Sequence, residues 1–256
     1  MINRLTYIFI IVLVYNSNIF AQQLNLTQFD DKPFHFGFAL SVNQSSYAID
    51  KNNTYYFQTD PNMPNVVMFS PNDTLLSSMI VSPGSGFTLG VISSININPN
   101  FKIRFAIPSL SFQECTLTYS YLNPVTKEVL YDDQVKEIRP VYLNFPAMIK
   151  FRSDRIDNWA VYGITGIRFG LDMSSNSEVV NSDLPLDEQV VKLKKTDFGF
   201  ELGGGFDFFL QYFKLGLELK LGLGMNNIHQ NDNNFFDQPI NGLKSRVWTF
   251  SLTFEG

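Results

Sequence analysis

The amino-acid sequence predicts an all-β protein: an eight-stranded antiparallel transmembrane barrel of the outer-membrane kind, with short periplasmic turns and long external loops. The first observation behind this prediction is strict alternation. In Phe213–Met225 every odd position is large and apolar, and every even position is charged or glycine. Period-two alternation describes an extended strand with one apolar and one polar face. The stretch is also longer than the roughly nine to eleven residues that a membrane-crossing strand needs.

The second observation is the spacing of the eight strands that show such patterns. The connections between them alternate between long and short throughout, beginning and ending with a long one. Outer-membrane barrels have this pattern because their turns are short on one side and their loops long on the other. A soluble sandwich or lipocalin-like barrel could bury the leucines instead, but it has no reason to place every long connection at one end. The membrane interpretation is therefore favoured.

The third observation is an N-terminal targeting segment. Arg4 precedes an apolar run, Leu5–Tyr15, and Ala21 fits a cleavage point, as is typical of signal peptides. The run is too short to cross a membrane as a helix, and no other helix-length apolar run follows it. We therefore expect a signal peptide at residues 1–21, a short periplasmic segment at 22–32 and the barrel at 33–256.

The composition excludes several classes of function. The net charge of −5 leaves no basic surface for nucleic acid or anionic lipid. Cys115 is the only cysteine, so neither an internal disulfide nor a multi-thiolate metal site can form. His35 and His229 are too far apart in sequence to be a local ligand pair. We expect no cofactor, no metal, no nucleic-acid partner and no small-molecule substrate.

Four strands are predicted in the first part of the chain: Phe34–Asn43, Ser85–Asn98, Phe101–Tyr121 and Ile138–Arg152. Between the first two lies a polar stretch, Ser45–Gly84, which is far too long for a hairpin turn. Its Leu75–Val81 core is expected either to extend a strand or to pack over the barrel mouth.

The third of these strands contains a proline. Because Pro108 has no N–H to donate, the sequence predicts a β-bulge at this position. The alternation changes phase after Pro108, and a further slip predicts that Leu117, Tyr119 and Tyr121 point outward.

Four more strands complete the predicted barrel: Trp159–Asp172, Lys194–Phe208, Phe213–Met225 and Leu243–Phe254. In the first of these, placing Arg168 and Asp172 inward puts four residues outward: Trp159, Val161, Ile167 and Phe169.

The inward faces carry both signs of charge. The predicted inward cations are Lys102, Arg104, Lys150, Arg168, Lys214 and Lys220, and the predicted inward anions are Glu201, Asp207 and Glu218. An eight-stranded barrel is about wide enough for its side chains to fill. We expect a salt-bridged plug, in preference to an ion or proton path.

None of the candidate catalytic residues forms a convincing set. His35 is predicted at the periplasmic mouth and His229 in an external loop, whereas a Ser/His/acid site needs its members side by side. Cys115 is interpreted as a small packed residue. Gly203-Gly204-Gly205 lacks the helix and lysine of a phosphate loop, so close strand packing explains it better. We expect no catalytic, cofactor-binding or metal-binding residues, and no enzyme activity.

Two stretches resemble the PorT family of Bacteroidetes outer-membrane barrels: SPGSGFTLGVISSININPNFKIRFAIPSLSFQECTLTYSY (Ser82–Tyr121) and VYLNFPAMIKFRSDRIDNWAVYGITGIRFGLDM (Val141–Met173). The resemblance covers roughly Pro33 to Phe254, and its most specific parts are Pro108–Thr118 and Leu143–Asp154. This chain departs from the family in having Gln113-Glu114-Cys115 where Glu-Arg is expected after Ser-Phe. That departure weakens any role for an arginine there.

The resemblance implies a component of the type IX secretion system. That system exports proteins with C-terminal sorting domains and, in gliding species, supports motility. Because folded cargo cannot pass a plugged eight-stranded barrel, we expect an assembly or accessory role. The expected partners are outer-membrane lipid and other secretion-system subunits. Two alternatives stay open: a generic small barrel that stabilises the envelope or binds ligands, and a lipid-modifying barrel enzyme.

Overall fold

The computed structural model describes residues 24–52, 75–122, 133–177, 181, 184–185, 188–232 and 234–256. The predicted signal peptide at 1–21 lies outside the described residues, as does the central part, 53–74, of the predicted polar stretch Ser45–Gly84.

The described residues form ten strands: β1 (Phe34–Lys51), β2 (Leu75–Asn96), β3 (Phe101–Phe112), β4 (Cys115–Leu122), β5 (Gln134–Ile138), β6 (Val141–Arg152), β7 (Trp159–Asp172), β8 (Thr196–Phe209), β9 (Lys214–Gly224) and β10 (Ile240–Glu255). Eight of them form a closed ring in the order β1-β10-β9-β8-β7-β6-β3-β2, and β2 pairs with β1 to complete it. All neighbours in the ring are antiparallel. The predicted eight-stranded antiparallel ring is confirmed.

The closure of the ring depends on β1, which pairs along both edges. One edge runs from Phe34 opposite Ile95 to Ser45 opposite Gly84 in β2, and the other edge pairs with β10. The ring therefore has no free edge strand, which is the condition for a β-structure to satisfy its backbone hydrogen bonds in lipid.

The two faces of the ring are opposite to those of a soluble barrel. Outward side chains such as Phe36 and Leu202 are 60% and 58% exposed, whereas the inward Lys102 and Lys214 are 1% and 0% exposed. Alternation along β9 and β8 follows the predicted phase in full. An apolar outer surface with buried charges fits hydrocarbon outside the barrel, so the soluble alternative is wrong.

The predicted third strand, Phe101–Tyr121, is wrong as a single strand. The register of β3 against β6 shifts between Phe105 and Ser109, which confirms the bulge around Pro108. Strand β3 ends at Phe112. After residues 113–114 the chain continues as β4, which lies outside the ring and pairs with residues 75–83 of β2. The predicted strand extension of Leu75–Val81 is thus confirmed.

The side chains of β4 also correct the prediction. Leu117, Tyr119 and Tyr121 are buried rather than outward, because β4 lies beyond the ring and turns this face over the barrel mouth. The strand predicted at Ile138–Arg152 is likewise divided. β5 ends at Ile138, and Pro140, which cannot donate an N–H, separates it from β6.

The connections distinguish the two ends of the ring. The three short connections that join one ring strand directly to the next, 97–100, 153–158 and 210–213, lie at the end where β1 begins and β10 finishes. We call this the turn end. The long connections lie at the opposite end, the loop end. Among the described residues, no helix is sufficiently long and apolar to span a membrane.

Candidate functional site

The interior of the ring contains one continuous network of ion pairs. Its consecutive members are Asp197, Arg168, Glu201, Lys220, Glu218, Arg104, Glu255, Lys214, Asp207 and Lys150, with N–O distances of 2.6–3.7 Å between neighbours. These side chains come from six strands of the ring, β3 and β6–β10. All nine charged residues predicted to point inward do so, and the predicted salt-bridged plug is confirmed.

Arg104 lies at the centre of this network. Its guanidinium donates to Glu218 at 2.6 Å and to Glu255 at 2.8 Å. The Tyr162 hydroxyl donates to the same Glu218 carboxylate at 2.9 Å, and the Lys150 ammonium lies 3.5 Å from the centroid of the Tyr162 ring. Because each buried charge has a counter-charge and a further polar or aromatic contact, the desolvation cost of burying it is offset.

A separate cluster closes the turn end. The N-terminal segment, residues 24–33, folds under the ring, and the Asp30 carboxylate accepts from Lys102 at 2.7 Å. It also accepts two parallel hydrogen bonds from Arg152, at 2.9 and 2.8 Å. The ring of Phe29 stacks on His35 with centroids 3.7 Å apart. The N-terminal segment therefore seals this mouth with one carboxylate and one aromatic ring.

The titration of Asp30 follows from these contacts. Partial burial raises the pKa of this carboxyl, but the hydrogen bonds and positive charges of Arg152 and Lys102 outweigh burial and lower it to about 2. Its side chain is 16% exposed, so solvent screens part of the interaction. Asp30 is consequently ionised at neutral pH.

The wall opposite the ion pairs is uncharged and rich in hydroxyls. Ser41 donates to Ser251 at 2.9 Å and Thr88 to Ser111 at 2.9 Å. A cavity lies between this wall and the ion pairs, with about 80 Å³ open to the centres of water molecules. One water needs about 10–15 Å³ by that measure, so the cavity has room for several waters.

Several polar atoms around this cavity make no hydrogen bond, although two of them belong to the longer ion pairs of the network: Arg168 Nε lies 3.6 Å from Glu201, and Glu201 Oε2 lies 3.5 Å from Lys220. Within the described residues, Arg104 Nε, Arg168 Nε, Glu201 Oε2 and Thr253 Oγ1 make no hydrogen bond, and all four residues line the cavity. Buried polar groups of this kind are usually satisfied by internal water. The interior is therefore a narrow, charged compartment with room for internal water, without the wide lumen that a protein conduit needs.

The loop end is closed by an apolar cluster. Its buried members include Tyr47, Leu76, Met79, Leu117, Tyr119, Tyr121, Val191, Leu193, Ile228, Phe236 and Leu243. Tyr119 anchors it by donating its hydroxyl to the Phe236 carbonyl at 3.2 Å. The β4 strand and the described residues of the two connections before β8 and β10, among them Val191, Leu193, Ile228 and Phe236, thus form a lid of ordinary core packing over this mouth.

The structure keeps the two histidines at opposite ends of the barrel. His35 is buried at the turn end, where its Nδ1 lies 3.3 Å from the Gly256 carbonyl oxygen, so its prediction as a mouth residue is confirmed. His229 is buried under the loop-end lid, and its Nε2 lies 3.1 Å from Asp237. The structure does not bring the two together.

The remaining candidates have structural explanations. Cys115 is buried, and burial raises the pKa of its thiol to about 11, which does not favour a nucleophile. The Gly203–Gly205 run lies within β8, where a Cβ at Gly205 would lie 2.7 Å from the Tyr162 hydroxyl. Close packing is confirmed for both. Within the described residues, no three His, Cys, Asp or Glu side chains are grouped to hold a metal ion.

Sequence reasoning missed three carboxylates that complete the interior: Asp30, Asp197 and Glu255. Asp197 lies on the inward face of β8, and the other two lie at or beyond the ends of the alternating stretches. A signal for them existed. The predicted inward set contains six cations and only three anions, and such an imbalance in a buried space requires additional anions.

Comparison with known proteins gives one family match. The family model described as "Outer membrane protein beta-barrel domain" matches residues 20–230. No curated protein matches the chain.

Several solved structures are similar to the chain. OprG, an outer membrane protein from Pseudomonas aeruginosa, is 12% identical with a TM-score of 0.43, and the match covers 87% of this chain and 93% of OprG. The attachment invasion locus protein Ail of Yersinia pestis, in complex with a heparin analogue, is 11% identical with a TM-score of 0.37, covering 88% and 100%. The outer membrane protease OmpT from Escherichia coli is 9% identical with a TM-score of 0.37, covering 92% and 98%.

Proposed function

The chain belongs to the outer membrane protein beta-barrel domain family and lies in the bacterial outer membrane, and from this premise we propose that it is a non-catalytic component of the type IX secretion system. Its role is in assembling or assisting the machinery that exports proteins with C-terminal sorting domains, including motility adhesins in gliding species. The proposal of this system rests on the resemblance of Ser82–Tyr121 and Val141–Met173 to the PorT family.

One observation supports a role by contact rather than by conduction. The ion-pair network from Asp197 to Lys150 crosses the interior and leaves only a small cavity. Both mouths are closed, one by the N-terminal segment and the other by the apolar lid. A folded protein cannot pass such a ring. The barrel therefore acts as a membrane-held platform for other subunits.

The two ends offer different surfaces to partners. With the short turns in the periplasm, as in other outer-membrane barrels, the N-terminal segment faces the periplasm and the loop end faces outward. The extension made by β4, β5 and residues 75–83 of β2 stands beyond the ring. It carries exposed apolar side chains, among them Ile80 and Val135, which are the first candidates for contact at the loop end.

The experiment is deletion of the gene with measurement of cargo in the medium and in the cell. We expect proteins with sorting domains to accumulate inside the cell, while outer-membrane proteins in general stay at their normal level. Normal export in the deletion strain would overturn the proposal.

Complementation of the deletion strain with single variants distinguishes a role through surface contacts from conduction through the barrel interior. Lys220→Met changes a side chain that lines the interior cavity and should restore export. Val135→Asp changes the exposed face of the extension and should restore it poorly, at equal abundance in the outer membrane. The opposite result would mean that the interior, rather than the surface, carries the function.

The second candidate is a generic barrel that stabilises the envelope or binds a ligand. The hydroxyl-lined cavity favours it over the lipid-modifying enzyme, whose histidines would have to share one site. Under this alternative the deletion strain becomes sensitive to detergent and bile salts while cargo export continues.

A further inference from the structure

The turn end holds the N-terminal segment in the manner of a peptide in a binding site. Five side chains from different parts of the ring converge on Phe29 and Asp30. They are His35 in β1, Lys102 in β3, Arg152 in β6, Phe209 in β8 and Lys214 in β9. Each belongs to a strand of the ring and is at least nine-tenths buried with the segment in place, so the site is built on the wall of the barrel rather than on a surface loop.

The chemistry of the site suits an aromatic residue followed by a carboxylate. The Phe29 ring stacks on His35, meets Phe209 edge-on with centroids 5.9 Å apart, and has the Lys214 ammonium 4.6 Å from its centroid. The carboxylate of the next residue, Asp30, accepts two parallel hydrogen bonds from Arg152. This is the bidentate geometry that a guanidinium offers to a carboxylate.

The backbone of the same segment is also held. Arg155, in the turn after β6, donates to the carbonyls of Asn25 at 2.6 Å and Leu26 at 3.2 Å. The Asn25 side chain donates to the Phe209 carbonyl at 3.1 Å. These hydrogen bonds hold the backbone of the segment, and the Leu26 side chain adds an apolar contact with the cluster of Phe29, Ala160 and Phe209. The directional contacts to side chains of the segment are those of Phe29 and Asp30, so the specificity of the site lies mainly in this aromatic–acidic pair.

The chain's own segment fits this site imperfectly. Leu26 has a φ of 49°, in the left-handed region that costs a residue with a side chain about 1–2 kcal/mol. Within the described residues, two buried nitrogens of the mouth, His35 Nε2 and Arg152 Nε, make no hydrogen bond. A segment that avoids this strain or supplies another acceptor would bind more tightly than the native one.

We propose that the turn end is a receptor site for a peptide segment with an aromatic residue followed by an acidic one, and that residues 24–31 are a displaceable ligand occupying it in cis. The partner is a protein segment of the same chemistry, reached from the side of the short turns. Its binding releases the N-terminal segment and leaves the ion pairs of the ring in place. This inference concerns the turn end whichever machinery the barrel serves, so it stands or falls separately from the secretion role.

The test uses a labelled peptide of residues 25–32, NLTQFDDK, with both ends blocked, and the full-length protein in nanodiscs. A Phe29→Ala/Asp30→Ala protein lacks the two side chains that occupy the site in cis. This emptied protein should bind the peptide. The wild-type protein should bind it about ten-fold or more weakly, because a short tether gives the cis segment an effective concentration in the millimolar range.

The matched control is a pair of substitutions in the peptide, at the positions of Asp30 and Asp31. Changing the residue equivalent to Asp30 to Asn should weaken binding at least ten-fold. The same change at Asp31, which is exposed, should leave binding within about two- to three-fold. Heat-modifiable migration in gels confirms that each barrel is folded. If the double variant does not fold, Asp30→Asn, which preserves the size of the side chain, takes its place.

A second measurement follows the displaced segment itself. In the wild-type protein, millimolar peptide should make residues 24–31 more susceptible to added protease, whereas the Asn-substituted peptide should not. The proposal is overturned if the Asn-substituted peptide binds as tightly as the parent, or if the wild-type and emptied proteins bind it equally.

Discussion

The most informative perturbation of this barrel is Arg104→Met. Arg104 contacts two buried carboxylates, Glu218 at 2.6 Å and Glu255 at 2.8 Å, and methionine keeps the length of the side chain without its charge. The substitution leaves both carboxylates inside the ring with less counter-charge. Each still has one cation, since Lys220 lies 3.3 Å from Glu218 and Lys214 lies 3.0 Å from Glu255.

The expected cost follows from those remaining partners. Breaking a buried ion pair by removing one member costs about 3–5 kcal/mol, and the surviving cations place Arg104→Met near 3 kcal/mol. Lys220→Met is the matched control. It removes an inward cation whose contacts are longer, at 3.3 and 3.5 Å, and whose side chain is 18% exposed to the cavity. We expect it to cost about 1 kcal/mol.

The measurement is urea unfolding of the full chain in lipid vesicles, followed by tryptophan fluorescence and by heat-modifiable gel migration. A double-mutant cycle with Glu218→Gln isolates the pair. The losses in unfolding free energy of the two single variants should sum to about 1–3 kcal/mol more than the loss of the double variant. The double variant loses less because it leaves no unpaired charge at this contact.

Two results would refute this reasoning. One is an Arg104→Met protein within 1 kcal/mol of the wild type, or no less stable than Lys220→Met. The other is strict additivity with Glu218→Gln. Either result would mean that water in the cavity screens the central ion pairs as effectively as bulk solvent does.

Three further predictions concern other parts of the ring. Gly205→Ala should cost about 1–3 kcal/mol because its Cβ would lie 2.7 Å from the Tyr162 hydroxyl. Gly163→Ala, whose Cβ meets nothing within 4 Å, should stay within about 0.5 kcal/mol in the same urea titration. Leu219→Lys, on the lipid face of β9, should cost about 2–4 kcal/mol in a bilayer and much less in a short-chain detergent. The pKa of Asp30 is lowered from 3.8 to about 2, so its contribution of about 1–2 kcal/mol should be complete above about pH 4. That contribution should disappear as the pH falls towards 2, where the melting temperatures of the wild type and Asp30→Asn should converge.

Alternation in the sequence was sufficient to predict the ring strands and their faces. Along β9 the inward Lys214, Glu218 and Lys220 differ from their apolar neighbours at every step, so only one orientation puts charge inside. A slip of one residue would expose those charges to hydrocarbon, at about 2–4 kcal/mol for each lysine near the midplane. The same cost explains why the predicted phase is correct in β6, β7 and β8, which also carry inward charges. In β1, which has none, the row of apolar residues that begins with Phe34, Phe36 and Phe38 fixes the phase.

Alternation could not predict where a strand leaves the ring. Leu117, Tyr119 and Tyr121 show the same spacing whether they face lipid or the lid, because both environments are apolar. The choice between lipid and lid is made by the pairing of β4 with residues 75–83 of β2. That pairing joins parts of the chain that are distant in sequence. The contact of the N-terminal segment with the turn end could not be predicted for a different reason. It has no periodicity, and Asp30 acquires its role from Lys102 and Arg152, which are more than seventy residues away along the chain.

The distribution of charge within the ring indicates what the ion pairs do for the fold. The inner faces of β1 and β2 carry no Lys, Arg, Asp or Glu, whereas β3 and β6–β10 supply the whole network. Buried ion pairs add little net stability over apolar packing, but each one forms in a single register. The six charged strands therefore specify their own alignment, and the hydroxyl-lined β1 and β2 have only to close the ring.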